Sequence, residues 1–176
     1  MKKLKLTELG RDSIEEFKSK PKVDLVVVLD NIRSAMNVGS VFRTADAMAI
    51  KKVCLCGITA TPPNREITKT AIGATDAVDW EYYKTSEAAI TDLKKEGYLV
   101  YAVEQTTASV ELMKFELKTD KLAIVLGNEV KGVDDAILHL MDGAIEIEQY
   151  GTKHSLNVSV CAGIVMHHLA NLLRNL

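Results

Sequence analysis

Ser155 and Asn157 stand at the entrance of the apolar segment 158–170, next to Lys153 and His154. Polar side chains that are carried toward a core need hydrogen-bond partners. Two interpretations are open: Ser155 caps a helix and Asn157 is satisfied within its first turn, or both side chains face a ligand. In the second case a hydroxyl and an amide at this point could bind a substrate or organise catalytic groups.

Three polar, glycine-bearing segments each follow a predicted strand. They are DNIRSAMNVGSVFRTADA from Asp30, GNEVKGVDD from Gly127, and QYGTKHSLNVS from Gln149, which contains Ser155 and Asn157. Ligands of open α/β sheets bind outside the carboxyl ends of the strands, so these segments predict a site at that edge. None of them contains G-x-G-x-x-G or ends in G-K-[ST], which argues against nucleotide binding through the familiar phosphate loops.

The elements that position these segments alternate along the chain. Short β-branched runs predict six strands, at 23–30, 51–58, 77–83, 98–104, 121–127 and 143–149. Apolar residues at three-to-four spacing predict helices at 37–49, 86–97, 133–141 and about 155–175, and Ser13 with Glu16 fits a capping box. Strands this apolar, separated by helices, predict one α/β domain with a mostly parallel sheet that helices cover on both faces.

Composition excludes several classes of protein. The 176 residues are 47% hydrophobic and 26% charged, which is typical of a globular domain with a core. No apolar run reaches the ~18–20 residues of a membrane span, and the first residues lack the apolar part of a secretory signal. The three cysteines predict buried free thiols in a reducing cytoplasm. The four histidines form no cluster with metal-ligand spacing, so no metal site is predicted.

Charge is distributed unevenly along the chain. The net charge is −2, but residues 1–22 carry seven Lys and Arg against four Asp and Glu, and the rest carries 15 against 20. A basic arm on a mildly acidic body could steer the protein toward phosphate. On charge alone, a solvated N-terminus is the preferred interpretation.

Three motifs in order resemble those of the SpoU-type (TrmH-like) RNA ribose methyltransferases of the SPOUT superfamily. They are N-x-G-x-x-x-R at Asn37, Gly39 and Arg43, G-N-E-x-x-G at 127–132, and S-L-N-V-S-V at 155–160. The resemblance covers about residues 23–176. It implies an S-adenosylmethionine-dependent 2′-O-methyltransferase acting on RNA, a deep trefoil knot in the C-terminal part of the chain, and a homodimer with its sites near the interface.

The resemblance also implies roles for individual residues. It places the cofactor against the third motif and assigns cofactor contacts to Val103, Gly127, Asn128, Ile147, Ser155 and Leu156. Gly127 would let the cofactor approach closely because glycine has no Cβ. Ser155 and Asn157 would turn toward the RNA or organise the catalytic groups. Glu129 would orient Arg43 or bind substrate, although a helix N-terminal charge explains a glutamate there equally well.

Arg43 matches the family arginine that is proposed to activate the ribose 2′-hydroxyl. Arginine stays protonated at ordinary pH, so it could act as a base only if a nearby phosphate or cation perturbed it strongly. The alternative is electrostatic: the guanidinium clamps the RNA phosphate and stabilises the developing alkoxide. Both interpretations remain open at this point.

Two features depart from the family pattern. Many members carry proline after the isoleucine that matches Ile147, whereas this chain has Glu148, which is expected to put a negative charge near the cofactor. Many members also have an additional RNA-binding domain, and about 22 residues before the first strand are too few for one. Target choice would then depend on the methyltransferase domain, the arm and a second subunit.

Transfer RNA is the first expected substrate and ribosomal RNA the second. A non-catalytic RNA-binding assembly module and a base methyltransferase are the alternatives.

Overall fold

The computed structural model describes the chain from Met1 to Leu176, apart from the side chain of Leu6. Seven parallel strands form one sheet in the order β3-β2-β1-β6-β4-β7-β5. The strands are β1 Val23–Asp30, β2 Ile50–Cys56, β3 Asp79–Tyr83, β4 Leu99–Val103, β5 Ser109–Glu111, β6 Leu122–Leu126 and β7 Gly143–Glu146. The prediction of a parallel α/β sheet is confirmed.

Helices lie on both faces of the sheet. They are α1 Ile14–Ser19, α2 Ala35–Ala47, α3 Arg65–Ala71, α4 Ala74–Ala77, α5 Ser86–Lys95, α6 Asp135–Leu138 and α7 Val158–Arg174, with 3-10 turns at Leu6–Glu8 and Leu112–Lys114. Successive residues of β1 face opposite sides, as the two-residue period of a strand requires. Val27 packs in the core under α2 and α7, whereas Val28 packs in the core under α5.

Several helices begin at side chains that accept hydrogen bonds from their first free backbone N–H groups. Ser34 accepts from Asn37 at the start of α2, Thr85 does so for α5, and the predicted capping box of Ser13 and Glu16 is present in α1. These caps satisfy donors that have no partner inside the helix.

Two predicted helices differ from the structure, and three of its elements were not predicted. The last helix begins at Val158 rather than near Ser155, because Asn157 is its N-cap and Ser155 lies in the preceding loop. The helix predicted over 133–141 contains only the four residues of α6. The elements α3, α4 and β5 were not predicted; the strand has three residues, too short to show a periodic pattern.

The N-terminal arm, residues 1–22, meets the rest of the chain at the amino edge of the sheet. Its helix α1 contacts α4, and the charge of Arg11 reaches Asp46 near the C-terminal end of α2. The loops that lead into the second and third motifs, and the start of α2, which carries the first, lie at the opposite, carboxyl edge. Among the described residues no helix is long and apolar enough to cross a membrane. The trefoil knot stays a prediction.

Candidate active site

A cleft of about 860 Å³ opens at the carboxyl ends of β4, β6 and β7. Its walls come from three stretches of chain, within 103–107, 126–138 and 145–158, together with Cys161 on α7. The second stretch contains the second sequence motif, and the third contains residues 155–158 of the third motif. Both polar segments lie at one edge of the sheet, as predicted, and both line the cleft.

The second motif folds into a tight loop closed by its own backbone. Asn128 and Gly132 exchange both N–H···O=C bonds, at 2.9 and 2.8 Å, and Gly132 has a φ of +73°. A Cβ on Gly127 would lie 2.0 Å from the amide nitrogen of Val133. Gly127 is thus required by the packing of its own loop, whereas the sequence prediction attributed it to the approach of a cofactor.

The glycine of the first motif also serves backbone packing. A Cβ on Gly39 would lie 2.1 Å from Oγ1 of Thr70 and 2.4 Å from the carbonyl oxygen of Ile67. Its absence allows α2 and α3 to pack in direct contact. The hydroxyl of Thr70 donates across this contact to the carbonyl oxygen of Met36, at 3.0 Å.

Asp30 and Asn31 hold the second-motif loop in place from below. Asp30 is almost fully buried, and its carboxylate accepts from the Ser86 hydroxyl at 2.5 Å and from the amide of Asp134 at 3.1 Å. Asn31 has a left-handed backbone with a φ of 54°, and its carbonyl oxygen accepts from Nδ2 of Asn128 at 2.7 Å. Both ends of the loop are therefore bonded to the end of β1.

Glu129 joins this loop to the start of α2. Its carboxylate accepts from the backbone N–H groups of Arg33, at 2.8 Å, and Ser34, at 3.0 Å, and from Nδ2 of Asn37, at 3.0 Å. Desolvation raises the pKa of Glu129, but these hydrogen bonds outweigh it, and the net result is a pKa below the usual value. Glu129 therefore carries its charge at neutral pH. Its described bonds go to the N-terminal turn of α2 rather than to Arg43.

Asn157 connects the third motif to the first. Its Oδ1 accepts from the amides of Ser159 and Val160 and so caps α7, while its Nδ2 donates to Oδ1 of Asn37 at 3.3 Å. The interpretation of Asn157 as a first-turn residue was wrong by one position, since it is the cap itself. Glu129, Asn37 and Asn157 form a continuous chain of side-chain hydrogen bonds across all three motifs.

The predicted site residues divide into two groups. Those that line the cleft are Val103, Gly127, Asn128, Glu129, Ile147, Ser155, Leu156 and Asn157. Asn37 stands outside the lining and reaches it through Asn157 and Glu129. Arg43 is exposed on α2, two turns beyond Asn37, and forms neither a hydrogen bond nor an ion pair with any residue the structure describes.

The three cysteines are free thiols. Burial raises the pKa of Cys54 and Cys56 to about 12 and that of Cys161 to about 11. Thiols with such pKa values are poor nucleophiles at neutral pH. Cys161 lines the cleft as a small, weakly polar group, and no set of three metal-ligating side chains gathers within the described part of the chain.

Comparison with known proteins identifies the family of this chain. The sequence model of the SpoU rRNA Methylase family matches residues 24–167. The chain belongs to the SpoU family. The resemblance read from the three motifs is thereby confirmed.

Relatives of this SpoU protein include enzymes of two RNA classes. The tRNA (guanosine(18)-2′-O)-methyltransferase of Thermus thermophilus is 31% identical over 160 residues, which cover 91% of this chain and 81% of that protein. The 23S rRNA (guanosine(2553)-2′-O)-methyltransferase of Bacillus subtilis is 32% identical over 146 residues, which cover 82% of this chain and 57% of that protein.

Solved structures share the fold of this SpoU chain. The A. aeolicus TrmH/SpoU tRNA modifying enzyme superposes with a TM-score of 0.79 at 25% identity, covering 92% of this chain and 82% of that one. The AdoMet-bound rRNA methyltransferase of Sinorhizobium meliloti superposes with a TM-score of 0.80 at 24% identity, covering 89% and 60%.

Sequence reasoning missed three residues that shape the SpoU site. Asp30 and Asn31 were quoted only as part of a segment, and Glu104 was predicted as the last residue of a strand. A carboxylate at the end of an otherwise apolar strand was an available signal for Asp30, because a buried charge needs several partners. The left-handed backbone of Asn31 left no comparable mark in the sequence.

Proposed function

We propose that this chain is an S-adenosylmethionine-dependent RNA methyltransferase that acts on a ribose 2′-hydroxyl. The observation that carries the proposal is the hydrogen-bonded chain Glu129–Asn37–Asn157, which ties the three family motifs together at one end of the cleft. Membership of the SpoU family and two relatives named as 2′-O-methyltransferases support it. They favour ribose methylation over base methylation.

The cleft fits an adenosyl group by its size and its lining. Val103, Ile147 and Leu156 offer apolar surface for a planar ring, and the backbone of the second-motif loop offers donors and acceptors. When bound, S-adenosylmethionine supplies an electrophilic methyl group on sulfur. The residues of this chain have to align the hydroxyl with that group and keep water out.

Arg43 is the residue that we assign to the reacting ribose. Its exposed guanidinium is free to form a bidentate bond to an RNA phosphate and to stabilise the oxygen as the hydroxyl loses its proton. Asn37, Glu129 and Asn157 hold the N-terminal turn of α2 and thereby place Arg43. Ser155, in the loop that lines the cleft, is available to the RNA or to the cofactor.

The substrate is proposed to be transfer RNA first and ribosomal RNA second. The Thermus thermophilus relative supports the first choice, since this chain spans 81% of that protein, against 57% of the Bacillus subtilis 23S rRNA enzyme. We place the reaction in the cytoplasm, where these RNAs are.

A homodimer is proposed as the working unit. The outer face of α7 exposes Val160, 52% accessible, and Ile164, 42% accessible, and nearby α2 exposes Met36, 46% accessible. Val160 and Ile164 lie one helical turn apart, and exposed apolar side chains favour burial against a partner, which a second copy would supply. Light scattering of the wild type at micromolar concentration should give the mass of two chains, and Ile164→Lys should give one. A monomeric wild type would exclude a two-subunit site.

Mass spectrometry of nucleosides tests the function. Transfer and ribosomal RNA from cells with and without the gene are digested, and a single 2′-O-methylnucleoside is expected to be missing when the gene is absent. Adding purified protein and S-adenosylmethionine to the unmodified RNA should restore it. Loss of a base-methylated nucleoside instead would identify a base methyltransferase, and an unchanged profile would support a non-catalytic RNA-binding module.

A further inference from the structure

The cleft has an unusual balance of charge. Four carboxylates line it, those of Glu104, Glu129, Asp135 and Glu146, whereas the lining contains one lysine, Lys131, and His154. At neutral pH glutamate and aspartate carry a negative charge. The cleft is therefore an acidic cavity in a protein whose proposed substrate is a polyanion.

None of these four carboxylates forms an ion pair with a lysine or arginine in the described structure. The ion pairs that do form all lie elsewhere, for example between Lys52 and Glu81 and between Lys94 and Asp142. No ion pair within the described structure therefore neutralises these four carboxylates. Carboxylates at partly desolvated positions attract a cationic ligand more strongly than they would in bulk water.

Glu104 is the most firmly placed of the group. It directly follows β4, and its carboxylate accepts from the backbone amides of Gln105, at 2.9 Å, and Val133, at 3.1 Å. A Cβ on Gly132 would lie 2.2 Å from its Oε2, so the carboxylate rests directly against the second-motif loop. The Glu104 charge also reaches Cys161 on α7 and, after burial, contributes to raising the pKa of that thiol. The negative charge of Glu104 therefore acts in the space between the second-motif loop and α7.

Glu146 is the freest of the group. It ends β7, lines the cleft, and forms no side-chain hydrogen bond within the described structure. Glu148, two residues later, is exposed, accepts from the hydroxyl of Tyr150 and does not line the cleft. Glu148 was expected to put a negative charge near the cofactor, but it lies outside the cleft. The negative charge in the cleft comes from other residues, including Glu104 and Glu146.

We propose that the unpaired carboxylates of the cleft, Glu104 and Glu146 foremost, select the positively charged cofactor over its neutral product. The inference rests on the proposed function. Methyl transfer breaks one C–S bond, forms one C–O bond to the ribose oxygen and releases the hydroxyl proton to solvent, and it converts a sulfonium cation into an uncharged thioether. A negative cleft stabilises the first form and not the second, so the spent cofactor is released and the cleft is ready for another. The same field repels phosphate, which keeps the RNA backbone outside the cleft, on the side of Arg43.

Three ligands that share adenosine but differ in charge provide the test. They are S-adenosylmethionine, its neutral product S-adenosylhomocysteine, and sinefungin, which carries an amine near the position of the sulfonium. Calorimetry with Glu104→Gln and with Glu146→Gln should show that both cationic ligands bind about three- to tenfold more weakly. The neutral ligand should bind within about twofold of its wild-type affinity. In the wild type, the preference for the cationic ligands should narrow as salt is raised.

Glu148→Gln is the matched control, because it removes the same charge from the same segment outside the cleft. It should leave the preference unchanged. Glu146→Gln removes no hydrogen bond from the folded chain, so its result stands even if Glu104→Gln unfolds. The inference is overturned if all three ligands weaken together in the cleft variants, or if Glu148→Gln narrows the preference equally. Failure of the wild type to bind any of the three would overturn the cofactor assignment as well, which separates the two outcomes.

Discussion

Around the cleft, the polar groups that shape the loops are held by other parts of the chain, whereas on the outer face of α2 the guanidinium of Arg43 has no described partner. Asp30 and Asn31 bond the second-motif segment to the end of β1, and Glu129 of the loop bonds it to the start of α2. The two regions are neighbours, joined through Asn37. The cleft is lined by residues of one chain, while Arg43 lies on an exposed face that we propose binds RNA.

The largest effect is expected from substitution of Arg43, which changes the exposed face of α2 and leaves the cleft intact. Arg43→Ala should lower the rate of methyl transfer about 10²–10³-fold, because it removes a positioned charge at the reacting oxygen. Arg43→Lys should fail almost as badly, since an ammonium cannot reproduce the planar fork. Cofactor affinity, measured by calorimetry, should be unchanged because Arg43 does not line the cleft. Lys84→Ala, another exposed cation, serves as the control. A wild-type rate for Arg43→Ala would remove Arg43 from the proposed mechanism.

The second-largest effect is expected from a substitution in the cleft, at Gly127 of the second-motif loop. Gly127→Ala places a Cβ where the backbone of Gly132 and Val133 lies about 2 Å away, so the second-motif loop has to move. We expect S-adenosylmethionine to bind at least about tenfold more weakly, the size that overpacking costs of ~1–3 kcal/mol imply. A Cβ on Gly151 meets no atom within 4 Å, and Gly151→Ala should bind normally. Equal affinities for the two variants would show that the loop tolerates the shift.

A third experiment tests whether the charge of Glu129 connects the cleft to α2, the helix that carries Arg43. Its pKa is lowered in the folded chain, so its stabilising contribution is complete above the usual carboxyl value and is lost as pH falls below it. Glu129→Gln should therefore be less stable than the wild type to urea at pH 7, and the two stabilities should converge as the pH falls below the usual carboxyl range. The variant should also transfer methyl groups about tenfold more slowly, since weaker charge-assisted bonds hold α2. A stability difference that persists unchanged at acid pH would assign the effect to shape instead.

The smallest effect concerns the arm. Neutralising Lys2, Lys3, Lys5 and Arg11 should weaken RNA binding about two- to threefold at moderate salt and reduce its salt dependence, if the arm reaches RNA bound by the dimer. Filter binding at several salt concentrations measures both quantities, with cofactor affinity as the control. The arm lies at the edge of the sheet opposite the cleft in its own chain. If the salt dependence of RNA binding is unchanged, the arm is a solvated terminus that does not contact RNA.

The sequence allowed the sheet, its six longer strands and the edge that carries the site to be predicted, because each depends on patterns that recur at short range. Apolar β-branched runs such as Val23–Asp30 leave a periodic signal, and the three motifs lie in order. Ser155 and Asn157 both line the cleft, and the helix cap that one interpretation gave to Ser155 is Asn157.

What sequence could not predict depends on contacts between distant residues. The bonds of Glu129 with Arg33 and Ser34 join positions more than 90 residues apart, so no local pattern announces them. The same holds for Gly127, whose reason lies in the return of its own loop at Gly132 and Val133. Glu104 reads as one more polar residue after a strand until the loop that it supports is in place.

The strand order has a consequence for the way in which this chain reaches its native state. Strand β6 lies between β1 and β4, and β7 lies between β4 and β5, so two late strands enter between partners that precede them in the chain. Such long-range parallel pairing is slow to form because the intervening chain must be ordered before the pairing stabilises anything. During synthesis the centre of the sheet stays open until Leu122–Leu126 and then Gly143–Glu146 have left the ribosome. Nascent chains that stop before these segments expose apolar strand edges and are the forms most prone to aggregate.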